Sequence, residues 1–375
     1  MNKYTNKIKA FATIVGTVIG LGIFAIPYVA RDVGVMPTMG LIVFIAVMSV
    51  VVSILYAEII LFDKREECVV SYAKRYLGAL MGRVEACSVI FGYTGSILAY
   101  VLAITIFFKE FLPQGGNYFW PIVLFYTAIS SLVLLRGIKV LGSLEVVLTG
   151  IMCLAFVLVF GESLSHWKAL DSDWSKVALP YGVVWFTLTG GSAIPIAVRL
   201  LEKKGNKIFS SILWAYVLIT LITVMFFVAA IKTGGQKICP NPFIAMSEKM
   251  GKWVFYLGSL IGIIAVTTSH WTLAAYFKNV LRKDFKMSEI TSWLLVVFLP
   301  IIFILLGASN FVNVIGLVGL IAGTFDALLL LAIYKNIFSR KNTVPRVLPF
   351  KLPGAVIWII FLLLVGAALS SILTE

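Results

Sequence analysis

The chain has 375 residues, of which 61% are hydrophobic and only 13% charged, with a mean hydropathy of +1.02. A soluble domain carries roughly 25% charged residues, so this composition leaves too little polar surface to face water on every side. The formal net charge of +14 does not point to nucleic acid, because the lysines and arginines lie between long apolar runs, as membrane topology dictates.

Each run is long enough for a crossing of about 20 residues. The runs place spans at about 8–31, 38–61, 81–111, 118–136, 138–163, 178–201, 205–232, 250–279, 289–307, 311–335 and 352–373. All should be helical, since an unpaired backbone group in lipid costs several kcal/mol and no segment alternates as a membrane strand would. The first run follows Lys3, Lys7 and Lys9, as the apolar stretch of a signal peptide does, but its glycines and Pro27 and the ten spans after it lead us to expect a retained span. With the N-terminus inside, most of the 31 basic residues fall in cytoplasmic segments. The outer side keeps only Arg31, Lys109, Lys168, Lys176, Lys232, Lys237, Lys249 and Lys252. The expected map is therefore about eleven spans in the cytoplasmic membrane, with the N-terminus cytoplasmic and the C-terminus outside. Cys68, Cys87, Cys153 and Cys239 show neither a CxxC motif nor Cys/His metal spacing, and only Cys239 falls in an outer loop.

The first span contains Gly16-Thr17-Val18-Ile19-Gly20-Leu21-Gly22-Ile23-Phe24-Ala25-Ile26-Pro27, and the sixth Thr187-Leu188-Thr189-Gly190-Gly191-Ser192-Ala193-Ile194-Pro195. Both set glycines a few residues ahead of an Ala-Ile-Pro triplet. Glycine relaxes a helix, and proline removes a donor and clashes with the preceding turn, so each span should unwind near its middle. An odd number of crossings separates the two breaks, so the second copy runs through the membrane the opposite way. That is an inverted repeat opened in each half by a discontinuous helix, an arrangement that secondary transporters use for midplane sites. Close-packing kinks are the alternative, and the matched positions favour a site.

The stretch from Gly16 to Tyr28 resembles the opening helix of the amino acid–polyamine–organocation superfamily, and within it the amino acid/auxin permease family. Tyr56-Ala57-Glu58-Ile59, Ser71 to Gly78 and Arg136-Gly137-Ile138-Lys139 are similar to later stretches of that superfamily. The first and sixth spans, with Thr267-Thr268-Ser269 in the eighth, also look like the LeuT-type sodium symporters. The resemblance implies an all-α, LeuT-like fold of five plus five helices. Residues 1–164 would form the first repeat, 165–336 the second, and 337–375 a peripheral eleventh helix.

An unwound helix offers amides for a carboxylate and carbonyls for an ammonium, and a half-helix N-terminus adds positive dipole. The carboxylate of a bound amino acid is expected at the amides near Gly20, Leu21 and Gly22. The ammonium is expected at carbonyls near Val18 and at Phe186, Thr187 and Thr189, with Gly190 and Gly191 leaving room. No charged side chain falls within either break, which favours a neutral substrate. In the third span Tyr93, Ser96 and Tyr100 lie at i, i+3 and i+7, a hydroxyl-bearing face beside Gly92 and Gly95. That face serves either close packing or hydroxyl donation to substrate.

The LeuT-like resemblance implies a sodium site from carbonyls of Gly16 and Ile19 with hydroxyls of Thr267 and Thr268. Oxygen ligands suit a hard cation, although a threonine also bonds its own helix readily. A proton is the other coupling ion. Met152 aligns where some proton-coupled relatives place a lysine, which disfavours that particular mechanism. Glu58, Glu145 and Asp326 lie within spans, in the cytoplasmic halves, and read as inner-gate ion pairs in preference to proton carriers. Ion-coupled import of an amino acid by alternating access is the leading function, and a non-transporting nutrient receptor on the same scaffold is the alternative. The sequence holds no Ser/His/Asp set, acidic metal cluster or phosphate loop that would suggest an enzyme. No cofactor beyond the coupling ion, no nucleic acid and no obligatory protein partner are implied.

Overall fold

A computed structural model describes residues 3–63, 68–109, 111–113, 116–136, 141–166, 172–339, 347–348 and 351–374, with side chains undescribed at 3–5, 136, 141–146 and 374. Sixteen α-helices carry the described chain. They are α1 Lys3–Val18, α2 Gly22–Val29, α3 Val35–Asp63, α4 Val69–Leu77, α5 Ala79–Lys109, α6 Phe119–Arg136, α7 Leu141–Ser163 and α8 Tyr181–Leu188. There follow α9 Ile194–Leu200, α10 Gly205–Gly234, α11 Pro242–Met250, α12 Lys252–Lys283, α13 Glu289–Leu305, α14 Phe311–Val318, α15 Thr324–Phe338 and α16 Gly354–Thr374.

Among the described residues eight helical stretches are long and apolar enough to cross a membrane, taking α1 and α2 as one, and α6 and α13 are shorter apolar helices. The remaining crossing is the broken pair α8 and α9, which gives the eleven expected. The amphipathic α4 and the short α11 lie between crossings, where the sequence offers no long apolar run. Asn241 caps α11 by accepting from the Phe243 amide at 3.2 Å.

In lipid, helices associate through close contact, because lipid tails are as apolar as leucine. Small residues on α5, α8 and α14 supply that contact. A Cβ at Gly92 would meet the Ala322 methyl at 2.9 Å, one at Gly95 would meet Val318 at 2.5 Å, and one at Gly182 would run into the Gly316 carbonyl. The tenth span is not one regular helix. Between α14 and α15 the chain makes a π-turn over Gly319–Gly323. Gly319 there lies against the Gly182 carbonyl with no room for a side chain. The turn widens the helix where α8 presses on it, and such turns recur at functional sites.

Candidate functional site

α1 stops at Val18, and α2 begins at Gly22. Between them the Gly20 amide turns back to the Val18 carbonyl at 2.9 Å in place of a helical partner. α8 ends at Leu188, the next residue Thr189 is extended (φ −86°, ψ 121°), and α9 starts only at Ile194. The hydroxyls of Thr187 and Thr189 donate to the carbonyls of Val183 (2.6 Å) and Trp185 (2.7 Å). These carbonyls lie four residues back along α8, and that of Trp185 is among the last four, which lack a helical amide.

Glycine lets the two breaks meet. A Cβ on Gly22 would lie 2.9 Å from both Cα and Cβ of Thr187, and one on Gly190 would lie 2.6 Å from Val18 Cγ2 and 3.0 Å from the Tyr216 hydroxyl. Ser53 Oγ and Tyr216 Oη are 3.0 Å apart beside the second break. On the other flank, Ser269 Oγ of α12 donates to the Gly16 carbonyl at 3.2 Å and approaches the Thr17 carbonyl at 3.5 Å.

A cavity opens between the breaks, α3, α5, α12 and the π-turn, with about 130 Å³ of space open to water centres. By the same kind of measure, an engineered apolar cavity of about 150 Å³ holds a benzene molecule. All ten residues expected to bind substrate line it: Val18, Gly20, Leu21, Gly22, Tyr93, Ser96, Phe186, Thr187, Thr189 and Gly190. Three further lining groups are buried with no hydrogen-bond partner among the described residues: Thr17 Oγ1, Ser49 Oγ and Trp185 Nε1. Leaving a buried polar group unpaired costs about 1–3 kcal/mol, so these atoms are ready for a polar ligand or water. None of the three is part of the expected substrate set. The sequence offers Trp185 as a pocket wall or a packing residue, and the fold places it, with Thr17 and Ser49, on the cavity.

The hydroxyls expected on α5 are partly committed. Ser96 Oγ donates to its own Gly92 carbonyl at 2.6 Å. The Tyr93 ring stacks on Phe277 (centroids 5.5 Å apart, planes at 28°) and packs beside Tyr276, whose hydroxyl is 3.1 Å from that of Tyr56. Tyr100 packs against Phe186 and stacks on His270, and His270 Nδ1 is 2.8 Å from Tyr126 Oη. His270 is therefore a packed, hydrogen-bonded histidine.

The expected ion-site residues are arranged unevenly. Gly16 is in contact with α12 through Ser269, one position beyond the expected threonines. Thr268 Oγ1 donates within its own helix to Ile264 and Ala265 at 3.0 and 3.1 Å, and Thr267 lies on the Tyr126 side. Ile19 sits in the first break, its amide bonded to the Val15 carbonyl at 2.8 Å. Of the expected gate acids, Glu58 is buried and accepts from the amides of Val347 and Leu348, both at 2.7 Å. Asp326 lies on the cavity wall and accepts from Ser88 Oγ at 2.8 Å. The Glu145 side chain lies outside the described residues. Glu85 on α5, a residue the sequence reading passed over, is buried beside Asp326.

Beyond Gly22, the end of the bundle is packed shut by phenylalanines. The Phe24 ring lies 5.2, 6.0, 5.6 and 5.7 Å from those of Phe107, Phe156, Phe226 and Phe243. From the breaks the cavity extends the other way, past Tyr56 and Asp326 to Leu330.

The sequence profile of the tryptophan/tyrosine permease family matches residues 3–373. The chain belongs to that family. It is an amino-acid transporter and not an enzyme, a multi-pass membrane protein built on the LeuT fold. Among solved structures it is similar to MhsT in complex with L-phenylalanine, with TM-score 0.68 and 15% identity, covering 98% of each chain. It is also similar to the manganese transporter of Eremococcus coleocola in complex with an aromatic bis-isothiourea substituted compound. That likeness has TM-score 0.70 and 11% identity, over 99% of this chain and 86% of the other. At such identities both likenesses concern the fold. No curated protein matches the chain significantly. The matching family is that of the tryptophan/tyrosine permeases, and the match does not extend to the amino acid/auxin permeases that the first-helix motif resembles.

Proposed function

We propose that this permease imports an aromatic amino acid of the tryptophan and tyrosine type across the cytoplasmic membrane, by ion-coupled symport with alternating access. The observation that carries the reading is the meeting of the two broken helices around a ring-sized cavity with unpaired polar groups in its wall. The substrate carboxylate binds the amides of Gly20, Leu21 and Gly22 at the start of α2, where the helix dipole favours an anion. The ammonium meets carbonyls of Val18 and of Phe186, Thr187 and Thr189. The aromatic ring takes the space beside Gly92, Phe186, Trp185 and Gly323, whose sides are apolar or small. A phenol oxygen there accepts from Trp185 Nε1. An indole N–H donates to Thr17 or Ser49.

The N-terminus lies in the cytoplasm, as the distribution of basic residues supports. Residues 1–164 and 165–336 act as the two inverted repeats that rock about the site, and 337–375 carry the peripheral helix α16. The coupling ion is sodium or a proton. In the sodium reading Gly16, Ile19, Thr267 and Thr268 surround the cation, and the contact of Ser269 with Gly16 adds a hydroxyl to that set. Uptake of labelled tryptophan into proteoliposomes tests the reading, with sodium and proton gradients imposed separately. Accumulation under either gradient is expected. Binding of tryptophan without uptake under both would replace the transporter with a receptor.

A further inference from the structure

Glu85 of α5 is fully buried, and neither of its carboxyl oxygens receives a hydrogen bond from any described N–H or O–H group. Ser88, three residues further along α5, donates to the Asp326 carboxylate of α15 at 2.8 Å, so the two helices bring the acids close together. Asp326 in turn lines the substrate cavity and accepts from Ser88. Two neighbouring carboxylates inside a bilayer cannot both stay ionised, because repulsion adds to the cost of taking each charge out of water. A single proton between them removes one charge and supplies the donor that Glu85 lacks.

Among the described residues the surroundings offer no other neutralisation. Tyr93 faces both acids from α5, and Asp284, beyond the end of α12, adds further negative charge. Asp284 is held by the Cys68 and Ser71 amides and by Ser71 Oγ. The cations nearby are engaged or exposed. Arg75 pairs with Asp63, Lys278 and Arg282 pair with Glu289, and Lys335 lies over the Trp358 ring. Lys74 on α4 and Arg83 on α5 are exposed. On α3, Glu58 is occupied by the amides of Val347 and Leu348, and Tyr56 by Tyr276. Among the described residues, no lysine or arginine forms an ion pair with Glu85 or Asp326.

We propose that Glu85 and Asp326 share one proton and form the proton-binding site of the transport cycle, one acid facing the cavity and the other buried behind it. The inference rests on the transporter reading and deepens it. A proton arriving with substrate forms an O–H bond on one carboxylate, and that bond breaks to release the proton on the cytoplasmic side. No electrons are transferred. The pair joins α5 to α15 directly after the π-turn, so movement of either helix changes the separation of the carboxyls and hence their hold on the proton.

The test uses the full chain in proteoliposomes, with a proton gradient free of sodium and a sodium gradient imposed separately. An inward proton gradient is expected to drive tryptophan accumulation in the unaltered protein. E85Q and D326N are expected to lose accumulation. Tryptophan exchange by E85Q, measured at equal pH on both sides, should continue but lose its dependence on pH. Proton-driven accumulation by both variants at the unaltered level would overturn the inference. So would accumulation driven by sodium alone in the unaltered protein, which would leave the transporter reading standing. No transport in any mode would instead overturn that reading. Should the variants fail to fold, carbodiimide labelling of the unaltered protein decides, because this reagent modifies protonated buried carboxyls. Mass-spectrometric label on Glu85 or Asp326, falling as pH rises, supports the shared proton. Label elsewhere, with none on either acid, refutes it.

Discussion

At Gly22 the absence of a side chain is what lets the first break touch the second. A Cβ there would sit 2.9 Å from the Thr187 Cα, and backbone cannot swing aside as the end of a side chain can. Overpacking of this kind typically costs about 1–3 kcal/mol. Gly22→Ala is therefore expected to lower the unfolding temperature in detergent and to abolish tryptophan uptake at normal expression. Gly40→Ala, with nothing within 4 Å, should leave both unchanged. Side by side on α12, Thr268 and Ser269 make the same comparison with hydroxyls. Ser269 reaches across to the Gly16 carbonyl, whereas Thr268 bonds its own helix. Ser269→Ala should reduce uptake by roughly tenfold, about the value of one such bond at ~1.4 kcal/mol, and more than Thr268→Ala does. Equal rates for the two variants would contradict the contact as described. The sequence placed hydroxyls in this stretch of α12 but could not say which one faces α1, because one step along a helix turns a side chain by about 100°. Glu85 was missed for a related reason: it lies close to Arg83 near the start of a long helix, where an acid reads as the edge of a loop.

Among the elements, the broken helices were the most legible, since glycine followed by proline leaves a trace that any reader of the sequence can find. The π-turn at Gly319–Gly323 was not. Its glycines look like ordinary packing residues, and the extra residue in the turn is forced by α8 pressing on α14, a neighbour that helical periodicity cannot identify. The phenylalanine cluster around Phe24 belongs to the same scale, because α2, α5, α7, α10 and α11 each contribute one ring. Removing a buried phenylalanine side chain typically costs about 3–5 kcal/mol. Phe24→Ala should lower thermal stability by that order and loosen the closed end. Thermal unfolding with and without tryptophan checks this, and an unshifted transition would show that the cluster does not hold the end closed.

For the molecule as a whole, the proposed rocking cycle takes closure beyond Gly22, with the cavity extending past Asp326, as one of its end states. In the proposed topology, with the N-terminus inside, the Asp326 end faces the cytoplasm. Lys237 and Lys204 sit at opposite ends of α10, and both are exposed, so they report the orientation. With the four native cysteines replaced by serine, a membrane-impermeant maleimide on intact cells should label Lys237→Cys and spare Lys204→Cys. The reverse pattern would invert the topology and exchange the two ends of the cycle. Fold and cavity were legible from the sequence because both follow from where apolar runs are interrupted. The acid pair and the unpaired polar atoms were not, because they depend on which helices become neighbours.

The central claim is that an aromatic amino acid occupies the cavity between the two breaks and is carried across. Competition measures this most directly: uptake of labelled tryptophan into proteoliposomes in the presence of excess tyrosine, phenylalanine, leucine or lysine. The account predicts strong inhibition by tyrosine and phenylalanine, little by leucine or lysine, and no uptake by Gly22→Ala. Inhibition by leucine or lysine as strong as that by tyrosine, or unimpaired uptake by Gly22→Ala, would contradict it.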